Sequence, residues 1–339
     1  MGKKRMKTHC IYHHADYDGL LSAAVVLHFI PDAVLHGWDY NEPTPVIPDD
    51  CETLYIVDLS VPDLMNDPRL IWIDHHKSAI EKWDNAVSHF TGKIIPGIRI
   101  DGVAACRLCW HYFNDPQHET HMLGGSGLSA EYYQKRLPLG DAPEPLVLVL
   151  AGEYDVWQEE GNPEWDKCVA LQHGLRLFSN DPATLSRGLL MHSDYGGVAV
   201  PSEAFLESLI EQGRVVERYT AEQNESICRN NTYIRDWEGL TFLVLNSARG
   251  NSRSFPKIDK MWPACGPNDV QTGAQYSWDD IDALCMWKYT GEKVTVSLYH
   301  HPNHKDLDLS VIAVKYGGGG HRGACGFQMS LEDFSKVLA

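Results

Sequence analysis

A chain of 339 residues, 43% apolar and 22% charged, can build one large core or two modest ones. That balance excludes a disordered polypeptide, and no apolar run approaches the roughly 20 residues of a membrane-spanning helix. The formal charge of −17 argues against a long basic track for nucleic acid. It favours a small anionic substrate held by metal ions and a few local cations.

Met1–Thr8 is basic but has no signal-type apolar core behind it, so the chain reads as intracellular, without a membrane partner. His9–Tyr12 reads as a short buried strand, followed by His13, His14, Asp16, Asp18 and Gly19. Leu20–Ile30 has helical spacing and should begin a helix just after Gly19. Ala33–Trp38, Thr53–Val57 and Leu70–Ile73 are further strand-like runs, the second closed by Asp58 and the third by Asp74-His75-His76. Gly102–Phe113 reads as a helix facing a core. Its C-x-x-C, Cys106 and Cys109, has no second pair, and nine cysteines without a disulfide rhythm read as reduced thiols rather than a zinc ribbon.

Residues 114–143 are loop-like, and Leu146–Gly152 is a helix that leads to Asp155. Residues 202–229 read as one long helix. Strands follow at Leu240–Leu245, Leu284–Tyr289 and Val294–Tyr299, the last two joined by a turn at Gly291-Glu292. The alternation predicts an α/β fold: a parallel-sheet N-terminal domain with flanking helices, a smaller mixed α/β C-terminal domain, and a cleft between them. The expected boundaries are 8–200, a helical linker over 201–234, and 235–339.

Four clusters carry the chemistry: His13 to Asp18, Asp58, Asp74 to His76, and Asp155. All fall at or just beyond the ends of apolar segments, where parallel sheets hold their ligands. Carboxylates and imidazoles gathered there suit a pair of hard divalent cations. Asp16 and Asp18, one residue apart, would point the same way in an extended segment. The same Asp-x-Asp-Gly string could equally be an N-capping turn, and a lone Asp58 a turn residue. Asp-His-His straight after a buried strand is costly to desolvate without partners and is the stronger signal.

The order and spacing of the four clusters resemble the DHH phosphoesterase superfamily, which includes RecJ-type exonucleases and nano-RNases. The resemblance implies Asp16, Asp18, Asp58, His75 and Asp155 as ligands of two Mn²⁺ or Mg²⁺ ions, with Asp58 bridging. It also implies that Asp74 orients the imidazoles and that His76 faces the substrate phosphate. Where family members carry a metal-binding His, this chain has Tyr12; His14 is then the expected extra ligand, and His13 a weaker one.

Tyr316-Gly317-Gly318-Gly319-Gly320-His321-Arg322 resembles the Gly-Gly-Gly-His motif of the domain that accompanies DHH domains. Gly318, Gly319 and Gly320 would let backbone N–H groups approach an anion, with His321 and Arg322 donating to phosphate; a plain turn is the alternative. By the same resemblance Asn246 and Arg249 would meet substrate, and Tyr299 stands where an Arg is frequent, able to stack on a base. His300, His301 and His304 read as a solvated loop. The activity implied is Mn²⁺-dependent hydrolysis of short oligonucleotides or linear dinucleotides to 5′ mononucleotides, by a cytoplasmic enzyme and a homodimer. The alternatives are a RecJ-like single-strand DNA exonuclease, a bisphosphate or cyclic-nucleotide phosphatase, a pyrophosphatase, and a non-catalytic scaffold.

Overall fold

The computed structural model describes residues 6–40, 42–90, 95–114, 143–190, 203–248, 250, 254–255 and 276–338. It divides into two compact units, Met1–Glu217 and Arg218–Ala339. The predicted 114–143 loop lies almost wholly outside the described residues.

The first unit is built on four parallel strands, β1 (Lys7–His13), β2 (Val34–Trp38), β3 (Cys51–Val57) and β4 (Leu70–Ile73), in the order β2-β1-β3-β4. Alternation along β3 shows why both faces must be covered. Tyr55 and Val57 enter one core with α1 (Tyr17–Phe29), α3 (Ala105–Asn114), α4 (Leu146–Asp155) and α5 (Trp165–Phe178). Leu54 and Ile56 enter the other, with Trp38, Met65, Trp72 and Ala79 of α2 (Lys77–Phe90). Each such side chain, fully buried, contributes about 1.5–3 kcal/mol. The second strand lies on one side of β1 and the third on the other. The chain therefore reverses its winding at β1, and a crevice opens beyond the carboxyl ends of β1 and β3.

Several expected elements extend further than their apolar runs. The first helix begins at Tyr17 rather than after Gly19, because Asp16 caps it by accepting from the Gly19 N–H (3.1 Å). The helix after residue 145 continues to Asp155. Beyond β4, Asp74 bridges to Arg99 in parallel fashion, and Trp72 N donates to Pro96 O (2.8 Å). Gly97 allows this close approach, since a Cβ there would stand 2.0 Å from the Trp72 carbonyl oxygen.

A long helix, α6 (Glu203–Asn231), precedes the second sheet, and the expected helical linker gives way to strand at Thr232. That sheet is mixed, in the order β5-β6-β7-β8-β10-β9: β5 (Thr232–Trp237), β6 (Leu240–Asn246), β7 (Ala283–Tyr289), β8 (Val294–His300), β9 (Gly319–His321) and β10 (Ala324–Met329). One face packs with α7 (Ser310–Lys315) and α8 (Leu331–Val337), through Leu309, Ala313 and Phe334. The hairpin of β7 and β8 is present as expected. Among the described residues no helix is long and apolar enough to cross a membrane.

Of the three histidines read as a solvated loop, His300 ends β8 and His301 is buried. His301 is fully buried against Trp278 (ring centroids 4.2 Å) and accepts at Nδ1 from Asn303 N. His300 Nε2 donates to Leu307 O (2.7 Å). Burial, with neighbouring His304 adding to it, lowers the His301 pKa to about 4. The folded state therefore binds fewer protons than the unfolded one between about pH 6.5 and 4, and stability falls as pH drops through that window. His301→Asn, which keeps an acceptor without a titrating ring, is expected to flatten that acid-side decline. Urea midpoints of both proteins at pH 7.5, 5.5 and 4.5 check this; parallel declines would refute it.

Candidate metal centre

The carboxyl ends of β1, β3 and β4 and the last turn of α4 bring the four sequence clusters together. Three sets of donor atoms lie within 4.8 Å of one another: His13, Asp16 and Asp58; Asp58, His75 and His76; and Asp18, His75 and Asp155. Asp58 and His75 each belong to two sets. His13 Nδ1 stands 2.9 Å from Asp16 Oδ2 and 3.5 Å from Asp58 Oδ2. His75 Nε2 lies 3.3 Å from Asp58 Oδ1, 3.3 Å from Asp155 Oδ2 and 3.4 Å from Asp18 Oδ2.

Each residue reaches the centre by a local device. Asp58 follows β3 with φ at 63°, a left-handed conformation in which Asp is better tolerated than branched residues. Its N–H donates to Ile73 O (2.9 Å), which fixes the turn. Asp74 is fully buried, and its Oδ1 accepts from the N–H groups of His75 (2.7 Å) and His76 (3.2 Å) and from His76 Nδ1 (2.8 Å). It therefore sets the turn that presents both rings, which lie 4.5 Å apart.

Asp18 does more than face the centre. Its Oδ2 accepts from Ala105 N and its Oδ1 from Cys106 N, both at 2.7 Å, so it caps the start of α3 across 87 residues of chain. Asp16 and Asp18 do not point the same way as expected, because Asp16 is the cap of α1 while Asp18 lies in its first turn. They join different donor sets. His14 is also elsewhere: its Nε2 pairs with Glu42 Oε1 at 3.0 Å, and His13 fills the place expected of it. Successive side chains at the end of a strand alternate sides, and only His13 shares the side of Asp58. That alternation was the available signal for His13; nothing in the sequence marked the role of the Ala105 and Cys106 N–H groups.

Four carboxylates (Asp16, Asp18, Asp58, Asp155) thus meet three imidazoles, with Asp18 and Asp58 buried and Asp16 and His76 open to solvent. Burial, then the charge of Asp18, pushes both Asp58 and Asp155 well above the usual carboxylate range. Burial opposes a charge on His13, but its pairing with Asp16 and Asp58 outweighs that and raises it to about 10. His75 is likewise raised, burial being overcome by Asp18 and Asp155. Asp16 moves down, the His13 contact outweighing burial. Asp58 is buried, and the groups its oxygens face are the imidazoles of His13 (3.5 Å) and His75 (3.3 Å), neither in close hydrogen-bond geometry. A buried carboxylate facing three others is expensive unless a cation completes the site. The donor set of carboxylate oxygens and imidazole nitrogens fits Mn²⁺ or Mg²⁺.

The candidate substrate residues of the second unit are placed less uniformly. Asn246 ends β6, exposed, and beside it a recess of about 250 Å³ is lined by Ser247, Trp287, Lys288, Thr295 and Ser297 among others. Lys288 was not anticipated. Arg249 lies outside the described residues, as does the side chain of His321. Gly319 and Gly320 belong to the edge strand β9, paired with β10, and Gly318 leads into it. A Cβ at Gly318 would meet Gly326 O at 2.0 Å, so this glycine has a packing reason of its own. Gly320 has φ at 130° and a similarly tight neighbour in Cys325. Arg322 is exposed and donates to Asp306 O. Tyr299 packs its ring against the apolar cluster of Leu284, Leu243 and Ile234, instead of standing clear to stack on a base.

No family model matches the chain, and no curated protein matches it in sequence. Solved structures align with nearly all of it. A pGpG-specific phosphodiesterase, PggH from Vibrio cholerae, is 15% identical over 97% of this chain and 96% of that one, with a TM-score of 0.46. A DHH domain from a member of the s1p family of ribosomal proteins is 14% identical over 97% and 84%, with a TM-score of 0.49. RecJ in complex with Mn²⁺ from Thermus thermophilus is 14% identical over 97% of this chain and 50% of that one, with a TM-score of 0.41. Likenesses at these identities and scores carry no argument about chemistry; the residues have to.

Proposed function

We propose that this chain is a DHH-type phosphodiesterase that uses two divalent cations, Mn²⁺ by preference, to hydrolyse short oligonucleotides or linear dinucleotides to 5′ mononucleotides. The observation that carries the reading is Asp58: buried, facing the imidazoles of His13 and His75, and shared by two of the three donor sets. His13, Asp16 and Asp58 would hold one ion, and Asp18, His75 and Asp155 the other. The chemistry that a bound pair supplies is activation of water and neutralisation of charge at phosphorus.

This chain's own residues do the rest. Asp74 fixes the ring of His76 through Nδ1, which leaves Nε2 as the atom available to a phosphate oxygen, a donor when the ring is protonated. The side chain of His76 is 37% exposed, while that of Asp74 is fully buried. A substrate therefore meets the imidazole and not the carboxylate that orients it. The second unit by itself offers a recess beside Asn246 with Lys288 on its wall, a cation that suits an anionic group. Eight described cysteines, all free and buried, suit a reducing compartment, and we place the protein in the cytoplasm.

The test is hydrolysis with Mn²⁺ of labelled RNA and DNA from two to about twenty nucleotides, with pyrophosphate and a nucleoside 3′,5′-bisphosphate alongside. Rapid cleavage confined to two- to five-mers is expected. Processive digestion of the longest strands would instead make it a RecJ-like exonuclease, and cleavage of the bisphosphate alone a nucleotide phosphatase. Melting provides a second reading. At 100 times its Kd, Mn²⁺ should stabilise the fold by about 2.7 kcal/mol. No thermal shift and no turnover would remove the metal centre altogether.

A further inference from the structure

Trp157 follows Asp155 by two residues and adopts φ of 55°, a left-handed backbone state disfavoured for a bulky side chain. The state is over-determined by the loop around it. Trp157 N donates to Tyr154 O (3.2 Å), Gln158 N to Glu153 O (2.9 Å) and Glu159 N to Trp157 O (2.8 Å). Asn162 Nδ2 donates to Glu153 Oε2 (2.6 Å), which ties the far side of the loop to α4. Strain held in this way marks a position whose side chain is wanted for something other than stability.

What the strain holds out is an indole that is 56% exposed. Its ring stacks on Tyr154 (centroids 6.1 Å apart, planes 24° from parallel), and Tyr154 in turn stacks on Trp165 (5.9 Å, 16°). Tyr154 and Trp165 are anchored against the core, so the outermost ring rests on a rigid base. Burial of the Trp157 ring gains the core little, and Asn or Gly would satisfy its backbone better.

We propose that the Tyr154, Trp157 and Trp165 stack is a nucleobase platform: the base of the nucleotide whose phosphate would be bound at the metal centre that Asp155 helps to form lies on the exposed face of Trp157. The proposal rests on the phosphodiesterase reading and names what its substrate must carry, an unpaired base on the nucleotide at the metal centre. Two residues of chain span at most about 7 Å, comparable with the reach from phosphate to base inside one nucleotide. Stacking on an aromatic face accepts any base, because every base has a π-face, and it requires the base to be free of a duplex. The platform therefore selects single-stranded ends without selecting sequence.

The experiment compares wild type with Trp157→Asn, which tolerates the left-handed backbone but removes the ring, and Trp157→Phe, which keeps one. Kinetics are measured on a dinucleotide and on the same molecule with its base removed at either position. Wild type should prefer the intact dinucleotide by about 5- to 100-fold in kcat/KM, mostly through KM. Trp157→Asn should lose that preference at one position only while cleaving the abasic substrate as wild type does, and Trp157→Phe should keep it. Binding of a non-hydrolysable dinucleotide containing 2-aminopurine, in Mg²⁺, gives a reading independent of turnover. Wild type should quench its emission, and Trp157→Asn should not. Equal quenching by both proteins, or an unchanged preference in Trp157→Asn, would overturn the platform even if wild type proves to be a phosphodiesterase. Quenching that depends on Trp157 in a protein that cleaves nothing would uphold the platform and overturn the enzyme.

Discussion

Asp58→Asn is expected to abolish phosphodiester hydrolysis and at the same time to raise the melting temperature of the metal-free protein. The two effects have one cause. The native carboxylate is buried, and burial and Asp18 oppose its charge more than the nearby His13 and His75 imidazoles offset it. Asn keeps the shape and tolerates φ near 63°, so the substitution removes the charge without disturbing the turn. Removing a buried charge whose surroundings disfavour it is stabilising where no cation is bound. Loss of a ligand shared by two donor sets should exceed the roughly 10–100-fold that loss of an outer partner costs. Added Mn²⁺ should then raise the melting temperature of wild type but barely that of the variant. Differential scanning calorimetry with and without Mn²⁺, beside a dinucleotide assay, checks the set. A variant that is less stable than the metal-free wild type, or that retains Mn²⁺ stabilisation, would contradict the assignment of Asp58.

Asp18→Ala should behave in the opposite way, although Asp18 belongs to the same centre. Its carboxylate is the acceptor for two buried N–H groups at the start of α3, Ala105 and Cys106. Alanine would leave both without that acceptor. Each orphaned buried donor costs about 1–3 kcal/mol, and loss of an N-cap alone about 0.5–2. We expect a loss of about 2–4 kcal/mol in urea unfolding of the metal-free protein, beside loss of activity. The third helix also lines the core through Leu108, Trp110 and Tyr112, so the damage spreads beyond the centre. A variant within about 0.5 kcal/mol of wild type would mean that α3 does not depend on this cap.

Much of the first unit was legible in the chain because its parallel strands are short apolar runs closed by acidic or imidazole residues. A buried strand has no other way to end at a polar crevice, so β3 with Asp58 and β4 with Asp74-His75-His76 announce themselves. Two kinds of feature stayed hidden. Helix starts depend on caps, and Asp16 begins α1 three residues earlier than its apolar run suggests. Contacts that join distant segments leave no local trace. The bond from Asp18 to Ala105 and Cys106 is one, and the His14 pairing with Glu42 is another. Glycines mislead for the opposite reason. Gly318 looks like part of an anion loop, yet close packing against β10 already requires it. His301, read as part of a solvated loop, is buried because Trp278 covers it.

The cap that Asp18 provides also bears on how such a centre would decay by descent. A lineage that gave up catalysis would be free to lose Asp58, and selection for a sturdier fold would favour the loss. Asp18 would persist, because the helix still needs it. In a degenerate descendant, a surviving first-motif aspartate would therefore be a fossil of architecture, and the identity of the residue after β3 would tell the living enzyme from its inert relative.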